Sequence, residues 1–165
     1  YWSSIHGRSM YSTFDWGVRD QDGYHFILGR TDDVINVAGH RLGTREIEES
    51  ISSHPNIAEV AVVGVADSLK GQVAMAFAVP RDASGLTDDA ARLKLEGEVM
   101  KQVDTQLGAV ARPSRVYFVT VLPKTRSGKL LRRALQAVAE RRDPGDLTTM
   151  DDPAALQQVK DLVGD

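Results

Sequence analysis

The sequence predicts an α+β fold in which an N-terminal β-hairpin leads into a small mixed sheet flanked by helices. Three observations carry that reading. Asp22-Gly23 separates two β-prone stretches, residues 14–19 and 24–29, and this combination of turn and strand signals specifies a tight hairpin. Two apolar runs, residues 59–66 and 72–80, flank a polar turn at residues 67–71 and should pair antiparallel. A long helix is expected from about Thr87 to Leu107, and a second helical pattern follows Lys129.

The remaining elements fall between these. Asp32 and Asp33 sit between two extended runs, where acids at a turn are the ordinary explanation. Thr44 is placed to cap a helix running to about His54, with Glu46, Glu48 and Glu49 near its positive end, Ile47 and Ile51 facing inward, and Pro55 closing it. A strand is expected near residues 115–120. Beyond it, Pro123, Ser127 and Gly128 mark a loop, and Gly128-Lys129 should open the last major helix. Leu130, Leu131, Ala134, Leu135 and Val138 form its apolar stripe, leaving Arg132, Arg133, Arg141 and Arg142 outward. The tail, residues 143–165, reads as an irregular connection followed by a short amphipathic helix. Ile51, Val60, Val62, Met75, Phe77, Val99, Val103, Val116 and Phe118 should build the core, while Trp2 and Trp16 look like packing residues at a junction.

Composition narrows the function. The chain has 165 residues, 42% hydrophobic and 26% charged, enough for one moderate core and unlike a disordered or membrane-spanning sequence. No apolar run approaches bilayer length, and no signal-peptide pattern opens the chain. The absence of cysteine excludes disulfides and thiolate metal sites and points to a reducing compartment, with a cytoplasmic address as the default. A net charge of −3 disfavours nucleic acid as a partner.

Two clusters carry chemistry. In Leu122 to Arg133, LPKTRSGKLLRR, Lys129 is either a solvated lysine in a helix's first turn or a tethered point charge suited to following an anion during a reaction. A cation beside the positive end of the helix dipole invites the second account. A phosphate-cradling Walker loop is excluded, because Pro123 stands where glycine is needed and Leu130 where Ser or Thr is needed. The other cluster, Gly29 to Ile51, holds Arg30 and Arg41, each a rigid fork for phosphate or carboxylate, and Gly39 and Gly43, which admit close backbone approach. Asp32 and Asp33 lack the further oxygens of a metal site, and Asp20 and Asp22 lack the ligands that would complete a calcium loop. His6, His25, His40 and His54 do not share metal-ligand spacing, so no metal site is assigned.

The two clusters occur together and in order, preceded by YSTFDWGVRDQDGYHFILGR. From about Tyr11 to Arg142 the chain resembles the C-terminal portion of the AMP-forming acyl-CoA synthetases, members of the adenylate-forming superfamily. GRTDDVINVAGHRLGTREIEE with LPKTRSGKLLRR is similar to the acetyl- and propionyl-CoA synthetase branch, and TFDWGVRD with RRDPGDLTTMDDPAAL tilts the resemblance to its propionyl side.

The resemblance implies roles residue by residue. Asp15 matches the acid that holds the ATP ribose hydroxyls, with Phe14 replacing the family's usual Gly. Arg30 and Arg41 match nucleotide-binding arginines, and Asp32 the hinge about which the small domain rotates. Ala38 and Gly39 match the stretch lining the channel for the CoA pantetheine arm, and Lys129 the lysine needed for adenylation. A basic residue that helps hold the CoA nucleotide in some relatives falls near Asp104 here. The implied substrates are ATP, CoA and a short-chain carboxylate, with Mg2+ bound outside this chain. The implied partner is a large N-terminal domain of the same polypeptide, with residues 1–31 its end, residues 32–142 a mobile C-terminal lid and residues 143–165 a tail. The 165-residue chain is accordingly expected to be an inactive fragment. Two competing readings are a non-catalytic module in which Arg30, Arg41 and Lys129 hold an anionic partner, and a structural lid or oligomerisation domain.

Overall fold

A computed structural model describes residues 2–5, 7–11, 13–82 and 88–164, the side chains of Trp2, Ser3, Ile5, Leu28 and Asp32 excepted. The architecture is α+β, as the sequence predicts, in two compact units, Tyr1–Val34 and Ile35–Asp165.

The first unit consists of two antiparallel hairpins. One, β1 (Trp2–Ile5) with β2 (Arg8–Tyr11), has no counterpart among the elements expected from sequence. The other, β3 (Asp15–Arg19) with β4 (His25–Arg30), is the hairpin that Asp22-Gly23 announced. Its turn depends on Asp20, whose carboxylate accepts from the Asp22 amide at 3.0 Å and the Tyr24 amide at 2.9 Å, while Gly23 takes φ +93°. Asp20 is thereby an Asx-turn residue.

The second unit is built on a five-stranded sheet, β6-β5-β8-β7 with β9 also on β8. A 3-10 turn at Thr31–Asp33 leads into β5 (Val34–Val37), which hairpins into β6 (His40–Gly43). Helix α1 spans Thr44–Ser52. The long strands β7 (Ile57–Asp67) and β8 (Gly71–Pro80) pair antiparallel, as expected, and β9 (Arg115–Phe118) adds in parallel to β8. Between β8 and β9 lies α2 (Asp89–Leu107), whose first turn is capped by Asp88 accepting from the Ala91 amide at 2.6 Å. The expected start at Thr87 lies outside the described residues. Helices α3 (Arg132–Ala139) and α4 (Pro153–Gly164) complete the unit.

Strand β7 explains why its sequence is nearly continuously apolar. Val60 and Val62 face one core with Ile47, Ile51, Val99 and Val103 from α1 and α2. Ala61, Val63 and Val65 face a second core with Leu135 and Val138 from α3 and Leu156, Val159 and Val163 from α4. A strand buried on both faces loses the usual alternation. The core expected from sequence is buried apart from Met75 and Phe118, which are partly buried. It divides between the two faces, with Phe77 in the second core and Val116 in the first.

The outer edge of β7 is closed by helix side chains rather than another strand. Glu48 Oε1 accepts from the Val62 amide at 2.8 Å and Glu140 Oε1 from the Ala66 amide at 3.2 Å, so carboxylates satisfy donors that would otherwise invite edge pairing. Burial opposes ionisation of Glu140 more than any single contact favours it, but Arg142, the Ala66 amide and Gln136 together hold its carboxyl below the ordinary value. Gly64, on the first-core face, leaves room for Ile35: a Cβ there would lie 2.2 Å from Ile35 Cγ2. Gly64→Ala is therefore expected to cost about 1–3 kcal/mol through overpacking, read as a lowered urea midpoint at unchanged slope.

Three local expectations are corrected. Thr44 does not cap α1 with its side chain; Gly43 occupies the N-cap without a side-chain bond, and Thr44 is the first helical residue, 4% exposed. The last major helix begins at Arg132, so Gly128, Lys129, Leu130 and Leu131 precede it. The four arginines do not all point free into solvent. Arg132 forms a bidentate pair with Glu48, Arg141 donates to the Val163 carbonyl at 3.2 Å, and Arg142 pairs with Glu140. Periodicity identified the helix's apolar stripe but carried no information about partners on other elements.

Candidate functional site

In the first unit, Asp15 and Arg30 are register partners at the open end of the β3–β4 hairpin. Their side chains approach to 4.0 Å, both more than a third exposed, and Arg30 Nη1 reaches the Thr13 carbonyl at 3.4 Å. Pairing across the hairpin thus brings together two of the expected nucleotide-binding residues, 15 positions apart in the chain. Phe14 takes φ +61°, and its carbonyl accepts from both the Thr31 amide, 2.6 Å, and the Thr31 hydroxyl, 3.0 Å. A left-handed backbone at that position favours Gly, so Phe14 holds a conformation that costs a bulky residue strain. Asp32 lies in the 3-10 turn between β4 and β5.

In the second unit, Ala38 and Gly39 form the two-residue turn between β5 and β6, with φ of +50° and +86°. Positive φ at both central positions is the requirement of a type I′ hairpin. No heavy atom lies within 4 Å of a Cβ built on Gly39, so backbone conformation and not space demands glycine there. The Ala38 amide donates to the Lys70 carbonyl at 2.8 Å, which fastens this turn to the tip between β7 and β8. That tip is itself set by Asp67, whose carboxylate accepts from the Lys70 amide first and the Leu69 amide second and is held below its ordinary pKa by them. Arg41 on β6 is exposed.

Lys129 sits on a tight hairpin, not on a helix. The Thr125 amide donates to the Lys129 carbonyl at 2.8 Å, the Gly128 amide to the Thr125 carbonyl at 2.8 Å, and the Lys129 amide to Thr125 Oγ1 at 3.1 Å. Gly128 takes φ +82°. Lys124 and Leu130 bridge the base of this turn, and the Leu131 amide closes on the Pro123 carbonyl at 3.0 Å. Those bonds replace the helical turn expected from Gly128-Lys129, so the helix-dipole argument does not apply to Lys129. Its side chain is exposed and pairs with no carboxylate among the described residues. Backbone bonds hold the turn, and the lysine side chain it presents is exposed.

The Lys129 hairpin and the Ala38-Gly39 turn are anchored at opposite ends of the long β7–β8 pair. Lys124 Nζ meets Glu59 Oε2 at 2.7 Å near the start of β7, whereas Ala38 is bonded beside the tip that follows Asp67. From Glu59 to Asp67 the strand runs roughly 26 Å at about 3.3 Å per residue. The lysine-bearing hairpin and the Ala38-Gly39 turn are therefore held far apart on one compact unit.

Other expected features resolve plainly. Asp104, near the position of a basic residue in some relatives, lies 3.8 Å from Arg112, which supplies positive charge beside it. His54 is 8% exposed, accepts from the Asn56 amide through Nδ1 at 3.3 Å and lies 3.8 Å from Glu98. His6 lies outside the described residues. Among the described residues no three His, Asp or Glu side chains converge as metal ligands, and no helix is long and apolar enough to cross a membrane. Sequence reasoning missed Glu48 as the partner of Arg132. Its signal was weak: an acid within an otherwise ordinary Glu-rich first half of a helix.

Comparison with known proteins adds to this geometry. The family described as AMP-binding enzyme C-terminal domain matches residues 46–129. The propionate–CoA ligase of Escherichia coli (strain K12) is 66% identical over 97% of this chain, which covers 25% of that protein. The acetyl-coenzyme A synthetase of Pyrobaculum aerophilum is 46% identical over 97% of this chain and 23% of its own length. A crystal structure of ATP-bound MatB from Rhodopseudomonas palustris superposes with a TM-score of 0.67 at 30% identity, over 83% of this chain and 26% of that one. The chain thus spans about a quarter of the relatives it matches, and the resemblance read from its motifs is borne out.

Proposed function

Since this chain belongs to the AMP-binding enzyme C-terminal domain family, we propose that it serves as the small mobile domain of a longer short-chain acyl-CoA synthetase that converts propionate, ATP and CoA to propionyl-CoA, AMP and pyrophosphate. In this reading residues 1–31 close a large N-terminal domain carrying the adenine and carboxylate pockets, residues 32–142 are the lid, and residues 143–165 are its tail. The address is the cytoplasm.

The observation that carries the reading is the placement of the Lys129 hairpin and the Ala38-Gly39 turn at opposite ends of the β7–β8 pair. In the first half-reaction a carboxylate oxygen bonds to the α-phosphorus of ATP and the bond to the β-phosphate oxygen breaks, releasing pyrophosphate. Two anions meet, so a positioned ammonium lowers the barrier, and exposed Lys129 supplies it. In the second, the CoA sulfur bonds to the acyl carbon, the acyl–phosphate C–O bond breaks, AMP departs and the thiol proton is lost. A long cationic side chain would then obstruct the thiol's path, whereas the side-chain-poor Ala38-Gly39 turn leaves room for the pantetheine arm. Both surfaces cannot address one centre at once, so rotation about Asp32 exchanges them. Asp15 and Arg30 hold the nucleotide ribose and phosphates, and Arg41 approaches the phosphates. Among the described residues no group of three His, Asp or Glu side chains could hold a metal ion, and in this reading Mg2+ is bound by the large N-terminal domain.

The greater identity to the propionate–CoA ligase supports propionate over acetate. Steady-state turnover of the longer polypeptide with acetate, propionate and butyrate tests this. We expect kcat/KM for propionate to exceed the others by about 10-fold or more, the usual worth of one methylene in an apolar pocket. A preference for acetate would reassign the substrate, and turnover by the isolated 165-residue chain would overturn the lid role.

A further inference from the structure

The tail after α3 reaches back to the hairpin that presents Lys129. Thr125 and Met150 form an antiparallel bridge, the Arg126 amide donates to the Thr149 carbonyl at 3.1 Å, and the Asp151 amide donates to the Lys124 carbonyl at 3.0 Å. Residues 149–151 thus act as a short extra strand along residues 124–126. Met150, 5% exposed, is the anchor, inserted into the second core with Leu135, Leu156 and Val159. A second grip comes from α4. Gln158 accepts from the Thr120 amide at 2.8 Å and donates to the Val121 carbonyl at 2.8 Å, just before buried Leu122. The segment entering the hairpin is therefore held at two points by residues beyond position 142, while the hairpin's other arm runs directly into α3 through Leu131.

We propose that Met150, with the strand of residues 149–151, is a positioning element for adenylation: it fixes the hairpin from which Lys129 reaches the transferring phosphoryl group, and has no part in thioester formation. The inference rests on the assignment of Lys129 to the first half-reaction. Its physical basis is that an exposed five-residue turn with one left-handed glycine is held in place mainly by what pairs with its arm, and that small displacements of a charged group lower the rate steeply. The tail touches nothing on the Ala38-Gly39 turn among the bonds described, so the second surface is insulated from it.

The test uses the full-length enzyme. Met150→Ala and Asp151→Pro, the latter deleting one backbone donor to Lys124, are compared with wild type in propionate-dependent ATP–pyrophosphate exchange and in thioester formation from supplied propionyl-adenylate. We expect exchange to fall about 10-fold or more, thioester formation to stay within about twofold, and Met150→Leu to restore exchange. Equal loss of both half-reactions, or loss of neither, overturns the proposal; Asp151→Pro decides it if the alanine variant does not fold. Lys129→Ala in parallel separates the failures: if it too leaves exchange intact, the role of Lys129 falls, and if it alone abolishes exchange, only the positioning role of the tail falls.

Discussion

Lys129→Ala in the full-length enzyme is expected to lower propionate-dependent ATP–pyrophosphate exchange by roughly 10²–10³-fold, the usual cost of removing one preorganised charge-stabilising donor, while thioester formation from supplied acyl-adenylate stays within about twofold. The asymmetry follows from where the residue sits. Its ammonium has no carboxylate partner among the described residues and its side chain is exposed, so truncation leaves no buried charge unpaired and disturbs no packing. The hairpin's backbone bonds, from Thr125 and Gly128, do not involve the side chain and survive the change. Lys129→Arg should recover only part of the rate, because a planar fork distributes its charge differently from a compact ammonium. Equal loss of both half-reactions would mean structural damage, and loss of neither would favour a non-catalytic anion-binding module.

Glu48→Ala should produce the largest loss of stability, about 3 kcal/mol, at the low end of what breaking a buried ion pair costs because Arg132 keeps 28% of its side chain exposed. Glu48 accepts from two sources at once. Both carboxylate oxygens engage the Arg132 guanidinium, and Oε1 also takes the Val62 amide at 2.8 Å. Alanine removes the carboxylate from Arg132, which keeps a 3.4 Å bond to the Val62 carbonyl, leaves the Val62 amide without its acceptor, and severs the direct tie between α1 and the first turn of α3. Glu48→Gln keeps an acceptor for the Val62 amide and should lose about half as much. Urea unfolding reads both; a change below about 1 kcal/mol for Glu48→Ala would show that solvent replaces the pair. Because Arg132 follows the Lys129 hairpin directly, Glu48→Ala should also slow the first half-reaction, and its loss of stability distinguishes it from Lys129→Ala.

Local signals were legible where one segment decides its own conformation. Asp22-Gly23 marked a hairpin because the turn's left-handed glycine and Asx bonds are made within five residues. The apolar runs of β7 and β8 marked paired strands, and the long helix expected from about Thr87 to Leu107 is α2, Asp89–Leu107. Lys129 and Gly39 stood out as residue types in unusual settings, a cation on a Ser-Gly loop and glycines among arginines.

Cross-element bonding was not legible. Lys129 read as the start of a helix because Leu130 and Leu131 continue the apolar spacing of α3, yet Leu131 gives its amide to Pro123 and Leu130 bridges Lys124. Arg132 read as outward because periodicity sees one helix, and its partner lies 84 positions away on α1. The tail read as an irregular connection and a short amphipathic helix, with no sign that Met150 and Gln158 grip the segment that carries Lys129. By itself the sequence determined the type of most elements and which residues could do chemistry, since these depend on local backbone preference and side-chain identity. Only the tertiary structure decided that Asp15 meets Arg30 across a hairpin, that Glu48 holds Arg132, and that the Lys129 and Gly39 surfaces sit at opposite ends of one strand pair. Those are relations between residues distant in the chain, fixed by packing and by the need to satisfy buried hydrogen-bonding groups.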